Sequence, residues 1–567
     1  MDIDRRDLLK GAAVLGGAAA LSGLAGCVPE EPEEENKTGS EGKESEVGTG
    51  ADIVVEEPKW DEEYDIVIVG GGGAGFISVI AAAEADGDVS IVVYESMSAP
   101  GGSTIMSGGN IGAMGTDNLK AYAEETGNDI YKDDTFEMYW EDKLAAGCWY
   151  GHPEIAHLFC YNSLDNFNWL ESLGIKWSGS RYYENPVEMP SDFTNAPVMQ
   201  SSQYLMTYDE EGKSSMINRK FRYNVGSTYK DSGGGRGNFM CLQDTLDTHS
   251  NIELVCDAPV KTIVRENQIE GDVTGIILSN GKAIRAKRAV ILASGGFHGN
   301  GEMIHLHDPR IAVTTRTSGG IGCLGEPLIA AQLIGAQTVN MHCIQIDFGA
   351  SAREPSMSGN NNSNPFSGPA SFIDVGKNGK RFWTEKPGDE QFMDAELMTL
   401  HKNGFTTWFR VGDSGSVASS RTPENLESFK NNYGAICDTI EELATFIGCD
   451  AATLRETITN YNKFVDNEKD TECGKSAVLL THKIDTPPYY AFEAGYYCRT
   501  TPGGLRIDTN AQVVDLFGKP IPRLYAAGEV TGNVHGRFRN NGGDSWCDIT
   551  CFGRIAGANA VALSPAE

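Results

Sequence analysis

Short apolar runs and glycine-rich segments alternate in the part of the chain that follows residue 60. Residues 64–69 (Y-D-I-V-I-V) form a nearly continuous apolar run, which is typical of a parallel strand buried on both faces. Residues 76–85 are compatible with a helix, and the apolar run at 89–94 predicts a second strand. The order strand, helix, strand predicts a β–α–β unit whose two strands lie parallel.

A glycine-rich turn joins the first predicted strand to the helix. Gly70, Gly72 and Gly75 match the spacing G-x-G-x-x-G, and Glu95 follows the second predicted strand, twenty residues after Gly75. Such glycines permit a tight turn and close approach of a pyrophosphate, which the helix N-terminus attracts. An acidic residue at this distance accepts hydrogen bonds from ribose hydroxyls. Together these features predict a dinucleotide-binding site.

The first residues have the pattern of an export signal rather than of a folded domain. Arg5 and Arg6 precede an apolar run of small residues over 11–25, as in twin-arginine signals, and the run leads into L-A-G-C at Cys27. About fifteen moderately apolar residues are too few to span the ~30 Å hydrocarbon core. We expect residues 1–27 to be a twin-arginine lipoprotein signal with Cys27 acylated. Residues 28–57, rich in Glu, Gly, Ser and Pro, are expected to be a flexible acidic tether.

Composition narrows the possible functions. The chain has 567 residues, enough for three or four domain-sized pieces, and 67 of them are Gly, an excess that favours close approach of backbone to a ligand. With 46 basic and 79 acidic residues, the formal net charge is −33. A field of this sign repels nucleic acid and anionic lipid, so we expect neither as a partner.

The thirteen cysteines show no metal or haem pattern. Apart from Cys27 they are scattered, with no C-x-x-C pair and no C-x-x-C-H segment. Cys547 and Cys551 lie one turn apart on a predicted helix, a spacing that is compatible with part of an iron–sulfur cluster. Small buried core residues explain the pair better. We therefore predict no metal site, with the cluster as the alternative interpretation.

Five further segments follow in a fixed order along the chain. Residues 101–109 read G-G-x-T-x-x-S-G-G, and residues 293–296 read A-x-G-G. The remaining three are G-G-L-R-I-D at 503–508, P-I-P-R-L-Y-A-A-G-E at 520–529 and G-R-I-A-G at 553–557. In these segments and their order, residues 60–567 resemble the superfamily of FAD-dependent fumarate reductases, succinate dehydrogenases and 3-ketosteroid dehydrogenases.

The resemblance implies an α/β fold: a split Rossmann-like FAD-binding domain with an inserted α+β capping domain. In this chain, the FAD-binding domain is expected over 60–338 and 502–567, and the capping domain over 339–501. The flavin is expected between them, with the active site at their interface.

The resemblance also implies the FAD-binding positions. They belong to the matched segments and their neighbours: Gly70, Gly72, Gly73, Ala74, Gly75, Glu95, Ser96, Gly102, Ser103, Thr104, Ser107, Gly108, Gly109, Val260, Ser294, Gly295, Gly528, Glu529, Asp544, Ser545 and Trp546. Ser103 stands where relatives with a covalently bound flavin carry the linking histidine. We therefore expect FAD to be held non-covalently.

A substrate-binding arginine is implied near the C-terminus. The segment ending at residue 544 resembles the family's G-E-x-T-G-G-x-H-G-x-N-R-L-G-G-N, with one extra residue before the final glycine pair. This places Arg539 near the family's substrate clamp, with Arg537 as its rival. A guanidinium suits a carboxylate or carbonyl oxygen of the substrate.

Other fumarate-binding positions of the family are replaced. Asp347 and Thr500, which precedes Thr501, stand where the family has clamping histidines, and Asp389 stands where it has the proton-donating arginine. Because carboxylates repel a dicarboxylate, we expect a substrate other than fumarate. Thr500 and Thr501 are expected to bind it together with an arginine.

The proton donor has three candidates. Tyr490 lies in a P-x-Y-A segment that resembles the one carrying the catalytic tyrosine of ketosteroid dehydrogenases. A phenol can donate a proton or bind an enone oxygen, although a packed core tyrosine is the alternative interpretation. Arg539 and Asp347 are the other candidate catalytic residues.

The sequence thus predicts an exported FAD-dependent oxidoreductase that reduces an activated C=C bond by hydride transfer from flavin N5. The expected acceptor is a small enone, unsaturated lactone or aryl-acrylate. Electrons are expected from a separate membrane-linked cytochrome or flavoprotein, as in anaerobic respiration. The expected location is outside the cytoplasmic membrane, with attachment only through a lipid anchor. Two alternatives stay open, a ketosteroid-type dehydrogenase working in the oxidising direction and a solute-binding lipoprotein.

Overall fold

The computed structural model describes the chain in twelve stretches: residues 57–117, 120, 124, 135–177, 188–189, 204–208, 214–218, 227–230, 232–353, 363–385, 393–537 and 543–566. The helices are α1 (Gly73–Ala85), α2 (Phe136–Ala146), α3 (Pro153–Tyr161), α4 (Ser163–Ser172), α5 (Gly234–Leu246), α6 (Gly301–His307), α7 (Glu326–Leu333), α8 (Met393–Asn403), α9 (Pro423–Asn432), α10 (Ile440–Ile447), α11 (Ala451–Asp466) and α12 (Asp544–Ala562). The export signal, Cys27, Asp389 and Arg539 lie outside the described residues.

Strands alternate with these helices along the chain. They are β1 (Glu62–Val69), β2 (Ile91–Tyr94), β3 (Lys176–Trp177), β4 (Glu188–Met189), β5 (Tyr204–Tyr208), β6 (Ser214–Asn218), β7 (Ser227–Tyr229), β8 (Ser232–Gly233), β9 (Ile252–Val255), β10 (Val260–Arg265), β11 (Val273–Leu278), β12 (Ala283–Leu292), β13 (Arg316–Thr317), β14 (Thr338–Val339), β15 (Gln345–Ser351), β16 (Ile373–Val375), β17 (Thr407–Gly412), β18 (Gly434–Cys437), β19 (Tyr489–Thr500), β20 (Gly504–Leu505), β21 (Gln512–Val514) and β22 (Pro520–Ala526).

The predicted β–α–β unit lies at the centre of an eight-stranded sheet. The sheet runs β10-β11-β12-β1-β2-β9, with β22 beside β12 and β21 beside β22. Strand β1 is parallel to both of its neighbours, so Val69 lies opposite Leu292 on one side and Tyr94 on the other. The pairs β12–β22 and β2–β9 are also parallel. The antiparallel strands β10 and β11 widen the sheet at one edge.

Helix α1 packs on this sheet and its apolar side chains are thereby buried. Phe76, Ile77, Val79 and Ile80 have no exposed surface, and neither do the central residues of β1. The helix begins at Gly73, three residues before the predicted start at residue 76. Four residues placed on a buried face each contribute about 1.5–3 kcal/mol of hydrophobic stabilisation. This packing fixes the helix N-terminus above the ends of β1 and β2.

Four neighbouring parallel strands end at the same edge of the sheet. Strands β2, β1, β12 and β22 end at Tyr94, Val69, Leu292 and Ala526, respectively. In an open parallel sheet, ligands bind beyond the carboxyl ends of the strands. The four predicted FAD-binding segments that follow these strands are therefore brought together by the topology alone.

A second, mainly antiparallel sheet is built on the long strand β19. Its path is β13-β19-β17-β16, with β15 and β18 also pairing with β19. On this sheet and the helices α10 and α11, a separate apolar cluster includes Val411, Leu443, Leu454 and Tyr461. Both the parallel sheet and this α+β region agree with the predicted fold class. In the described part of the chain, no helix is long and apolar enough to cross a membrane.

The chain passes between the two sheets at a short two-stranded ladder. Strands β14 and β20 pair in antiparallel fashion, with Thr338 opposite Leu505 and Val339 opposite Gly504. This ladder lies next to the boundaries predicted at 338/339 and 501/502. The domain boundaries themselves stay a prediction.

Candidate active site

A cavity of about 880 Å³ opens at the carboxyl edge of the parallel sheet. Its walls come from the turn before α1, from the ends of β2 and β12, from the end of β19 and from the start of α12. Both sheets therefore contribute to a single cavity. Its volume is that of a site for a large organic ligand.

The glycine-rich turn adopts a backbone that only glycine accommodates at close quarters. Gly70 has φ of +108°, and a Cβ atom there would lie 2.4 Å from the carbonyl oxygen of Ala293. At Gly75 a Cβ atom would lie 2.1 Å from the carbonyl oxygen of Gly70, so this glycine lets α1 pack closely on β1. Gly72 and Gly73, at the N-terminus of α1, line the cavity. The Gly73 N–H donates to Thr104 Oγ1 at 3.0 Å, and the helix dipole makes this end attractive to phosphate.

Glu95 lies at the cavity wall with its carboxylate held by two backbone groups. Its Oε2 accepts from Gly71 N at 2.8 Å, and its Oε1 accepts from Met97 N at 2.8 Å. The residue is almost completely buried. A fixed carboxylate at the end of β2 is in the place expected for the ribose acceptor.

The residues present fit a flavin dinucleotide. The Ser294 hydroxyl, in the cavity wall after β12, is buried without a hydrogen-bond partner in the described structure, as expected of a group that serves a ligand. Gly295 and Gly102 also line the cavity, and both have positive φ. Glycine backbone, a helix N-terminus, a ribose acceptor and an unsatisfied hydroxyl are the features that such a cofactor requires.

Most of the predicted cofactor positions lie in the wall of this cavity. They are Gly70, Gly72, Gly73, Ala74, Glu95, Ser96, Gly102, Ser103, Thr104, Ser107, Gly108, Val260, Ser294, Gly295, Glu529, Ser545 and Trp546. The Trp546 indole donates to Ser107 Oγ at 3.0 Å, which joins α12 to the segment after β2.

Four predicted cofactor positions are not in the cavity wall. Gly75 supports the packing of α1, as described above. Gly109 lies against the backbone of Gly234, where a Cβ atom would approach to 2.3 Å, and Gly528 packs against Ala74. Asp544 is buried and paired with a lysine. Their positions indicate support of the wall rather than contact with the ligand, and a direct binding role for these four stays untested.

The end of β19 brings polar side chains to the cavity. Asp347, Arg499 and Thr500 line it together. Asp347 Oδ2 accepts from the Tyr497 hydroxyl at 3.0 Å, because β15 places Asp347 opposite Tyr497. Arg499 Nη1 lies 3.6 Å from Asp347 Oδ1. The pair presents one carboxylate and one guanidinium to the cavity.

The sequence analysis did not identify Arg499. The available signal was its position in the sequence beside Thr500, a predicted substrate residue, where a guanidinium is suited to bind a carbonyl or carboxylate oxygen.

Tyr490 is not brought to this site, in contrast to the prediction of a catalytic tyrosine. It lies ten residues before Thr500 on the same strand, and a strand rises about 3.3 Å per residue, so the two are roughly 30 Å apart. The Tyr490 ring packs 6.4 Å from that of Phe429, centre to centre, in the apolar core. Burial raises the pKa of its phenol. The alternative interpretation, a packed core tyrosine, describes this geometry.

Two other predicted substrate residues are buried near the cavity rather than in its wall. Thr501 Oγ1 accepts from Phe297 N at 3.0 Å, and its N–H donates to Glu529 Oε1 at 2.8 Å. Arg537 Nη1 donates to the His342 carbonyl oxygen at 2.7 Å. Thr501 therefore orients Glu529, and Arg537 links residues 531–537 to the backbone at His342.

A buried charged network lies behind the part of the cavity wall formed by His535 and Asp548. Lys143 Nζ lies 2.6 Å from His535 Nδ1 and 2.7 Å from Asp544 Oδ2, and His535 Nε2 lies 3.0 Å from Asp548 Oδ2. An ammonium group only donates, so Nδ1 accepts and the proton sits on Nε2, directed at Asp548. His535 and Asp548 line the cavity. No sequence motif pointed to Lys143.

The cysteine pair on α12 behaves as core. Cys547 and Cys551 are completely buried. Burial raises the pKa of the Cys547 thiol well above its usual value and that of Cys551 to about 12, which favours the thiol over the metal-binding thiolate. Among the described residues, no group of three or more His, Cys, Asp or Glu side chains is arranged to hold a metal ion.

Comparison with known proteins decides the family. Residues 65–544 match the family described as the FAD binding domain. The chain belongs to this family. The expected resemblance is thereby confirmed, and FAD is the cofactor of this oxidoreductase. Residues 2–22 match the twin-arginine translocation signal, which directs export across the cytoplasmic membrane.

Several proteins to which this FAD-binding protein is similar are named reductases. It is 29% identical over 514 residues to a probable fumarate reductase of Shewanella frigidimarina, covering 88% of this chain and 75% of that protein. It is 28% identical over 600 residues to the digoxin reductase of Eggerthella lenta, covering 99% of this chain and 98% of that protein. A solved flavocytochrome c3 fumarate reductase in an open conformation matches with a TM-score of 0.68 and 25% identity, covering 89% of this chain and 79% of that one.

Proposed function

We propose that this FAD-binding protein is an exported reductase of an activated C=C bond in a small organic acceptor other than fumarate. One observation carries the proposal: Asp347, Arg499 and Thr500 line the same cavity as the glycine-rich turn and Glu95. A polar acceptor group can therefore bind beside the cofactor. The reductases named above, one for fumarate and one for digoxin, support this reaction class.

The residues in the cavity wall suggest a role for each group in the proposed reaction. When bound and reduced, FAD would supply hydride to one electron-poor alkene carbon. The adjacent carbon would take up a proton, for which Arg539 and Asp347 remain the predicted donors. Arg499 binds and polarises the carbonyl or carboxylate oxygen conjugated to that alkene, as a guanidinium donor in a partly enclosed site. Thr500 offers a second donor at the end of β19. Arg539 remains the predicted partner clamp, from the resemblance alone.

The charge of the cavity favours acceptors with few carboxylates. Its described lining residues include five carboxylates and one arginine: Glu95, Glu326, Asp347, Glu529, Asp548 and Arg499. Asp347 lies within reach of Arg499 and offsets its charge. A dicarboxylate would meet more negative than positive charge, whereas an enone, an unsaturated lactone or an aryl-acrylate carries at most one charge.

The twin-arginine signal directs export across the cytoplasmic membrane, so we propose that the reaction takes place outside it. We further propose that Cys27 is acylated and tethers the protein to the membrane surface, and that a membrane-linked cytochrome or flavoprotein supplies the electrons, as in anaerobic respiration. Loss of membrane association in Cys27→Ala, with FAD content unchanged, supports the tether. A Cys27→Ala protein that stays in the membrane fraction contradicts it.

The function is tested by the reoxidation of reduced viologen under anaerobic conditions. The purified holoprotein is offered neutral enones, unsaturated lactones, aryl-acrylates and fumarate at equal concentrations. The proposal expects turnover with at least one of the first three classes and little with fumarate. The proposal is overturned if fumarate gives the fastest turnover. It is also overturned if no alkene is reduced while a saturated ketosteroid is oxidised with an artificial acceptor. A colourless protein that does not bind added FAD leaves the solute-binding lipoprotein as the better interpretation.

Arg539→Ala tests the clamp on the best acceptor found. The expected result is a loss of turnover of at least a hundredfold with FAD retained. Arg455→Ala is the matched control, because this arginine lies on the exposed surface of α11 and pairs only with Glu441 in the described structure. Unchanged turnover in Arg539→Ala refutes the clamp without touching the reaction class.

A further inference from the structure

His298 lies buried behind the cavity wall and bridges two hydroxyl groups. Its side chain has no exposed surface. Its Nε2 lies 3.1 Å from Ser103 Oγ, and its Nδ1 lies 2.7 Å from Thr317 Oγ1. Ser103 lines the cavity. None of the roles assigned above uses this imidazole.

Each hydroxyl is also fixed by a backbone N–H. Gly320 N donates to Ser103 Oγ at 2.9 Å, and Gly319 N donates to Thr317 Oγ1 at 3.0 Å. A hydroxyl has two lone pairs and one hydrogen, so each still has a lone pair for the ring. An imidazolium, which donates from both nitrogens, therefore fits the site without losing a hydrogen bond. In that arrangement the hydrogen of Ser103 points away from the ring, and it donates either to Cys323 Sγ, 3.7 Å from Ser103 Oγ, or into the cavity.

The surrounding charges favour a cation at this place. Glu529 Oε2 lies 3.9 Å from His298 Nε2, and Glu529 itself lines the cavity. Other titratable or charged groups on the neighbouring segments include Cys323, Arg316, Cys498 and, next to Cys498 on β19, Arg499. Arg499 Nη1 lies 3.6 Å from Asp347 Oδ1, which offsets its charge. Cys323 Sγ lies 3.7 Å from Ser103 Oγ. Burial raises the pKa of Cys498 well above its usual value, so that thiol stays neutral, and Arg316 donates to the Ser351 carbonyl.

We propose that His298 takes up one proton when the FAD in this cavity is reduced, and that Ser103 couples the two events. The reductant supplies two electrons to the cofactor, and solvent supplies the proton that converts the imidazole to imidazolium. Reoxidation returns both. The physical cause is that reduction adds negative charge to a cavity of low dielectric constant, where a neighbouring cation is worth more than in water. His298 is thus a positioning and charge-balancing residue, and the proposal holds for any acceptor.

The test is a spectroelectrochemical titration of the holoprotein with dye mediators and no alkene, between pH 5 and pH 9. One extra proton per two electrons changes the reduction equilibrium tenfold per pH unit, or about 30 mV. The wild-type midpoint potential should fall by this extra amount per pH unit over part of the range. In His298→Gln the extra slope should be absent.

His482→Gln is the matched control. This histidine lies 2.8 Å from Asp413 Oδ1 and is not among the residues that line the cavity, so its removal should leave the extra slope in place. A His298→Gln protein with the wild-type slope overturns the proposal, as does a wild-type protein without the extra slope. Failure of the alkene reductase assay would leave this titration unaffected.

A second pair of variants covers the case in which His298→Gln does not fold or loses FAD. Thr317→Val keeps the imidazole and removes the oxygen at Nδ1, so the pH range of the extra slope should move by a measurable fraction of a unit. Ser103→Ala should reduce the extra slope, because it removes the link to the cavity. Wild-type behaviour in both variants contradicts the proposal.

Discussion

Lys143 Nζ lies 2.7 Å from Asp544 Oδ2, and both side chains are shielded from solvent almost completely. The pair joins α2 to the first residue of α12 across 401 positions of sequence. Through His535 it also reaches Asp548 in the cavity wall. The ion pair therefore ties α2 to α12, whose first turns contribute Ser545, Trp546 and Asp548 to the cavity wall.

Replacing Lys143 should be strongly destabilising. Lys143→Met leaves a buried carboxylate without its ammonium partner, so the free energy of unfolding should fall by about 3–5 kcal/mol. Urea denaturation at saturating FAD measures this change. The control is Lys282→Met, whose pair with Glu62 is partly exposed and should contribute no more than about 1 kcal/mol. Equal losses in the two variants would contradict the role of burial.

Removing the carboxylate of Glu95 should weaken FAD binding. Glu95→Ala deprives the N–H groups of Gly71 and Met97 of their acceptor and removes the expected ribose partner, a loss of about 1.5–3 kcal/mol for hydrogen bonds to a charged group. The dissociation constant for FAD should rise about 10- to 100-fold in fluorescence titrations of the apoprotein. Glu95→Gln keeps one acceptor oxygen and should lose less.

The control for this prediction is Glu253→Gln. Glu253 lies on the neighbouring strand β9, where it accepts from the Tyr64 hydroxyl, and it does not line the cavity. FAD affinity should be unchanged. If Glu95→Ala binds FAD as tightly as wild type, the assignment of Glu95 to the ribose is wrong.

The cofactor half of the site could be predicted because its signals are local. The turn at Gly70–Gly75, the helix α1 and the acid at Glu95 lie within about thirty residues, and each step of that unit is fixed by backbone geometry. The later cofactor segments follow parallel strands of the same sheet, so they reach the same edge and needed no further signal in the sequence. The strand limits differed by only two residues from those predicted.

The other half depends on contacts between distant residues, which periodicity does not encode. Lys143 and His535 are 392 positions apart, and each alone is an ordinary residue of its segment. Tyr490 shows the converse error. The short matching segment pointed to this residue, but it did not reveal that residues 489–500 form one extended strand, which separates Tyr490 from Thr500. His298 follows a matched turn, yet only the fold shows that Ser103 and Thr317 flank its ring.

The surroundings of Asp413 predict how the free energy of unfolding changes as the pH falls. Its carboxylate accepts from the N–H groups of Asp485 and Thr486 and from His482. Burial alone raises its pKa, but these hydrogen bonds outweigh burial and hold the pKa below its ordinary value. A depressed pKa in the folded state means that the stabilisation is present above about pH 4, the unfolded value, and is lost as the pH falls through the folded value.

Asp413→Asn should therefore lower the free energy of unfolding most at neutral pH, by about 2 kcal/mol. The difference from wild type should shrink as the pH falls from 5 to 3. Urea denaturation at several pH values measures it. Asp450→Asn, at the exposed N-terminus of α11, should show a smaller loss at pH 7. A difference that is constant with pH would show that charge on Asp413 is not the cause.

Asp347 should set the preference between neutral and anionic acceptors. Because its carboxylate lies beside Arg499 in the cavity wall, Asp347→Asn removes negative charge and leaves the guanidinium fully available. With an aryl-acrylate and its methyl ester as paired acceptors, the ratio of kcat/KM for acid over ester should rise about tenfold, equivalent to roughly 1.4 kcal/mol. Arg499→Gln should shift the same ratio in the opposite direction. Asp438→Asn, an exposed carboxylate that does not line the cavity, is the control, and an unchanged ratio in Asp347→Asn would show that Asp347 does not face the acceptor.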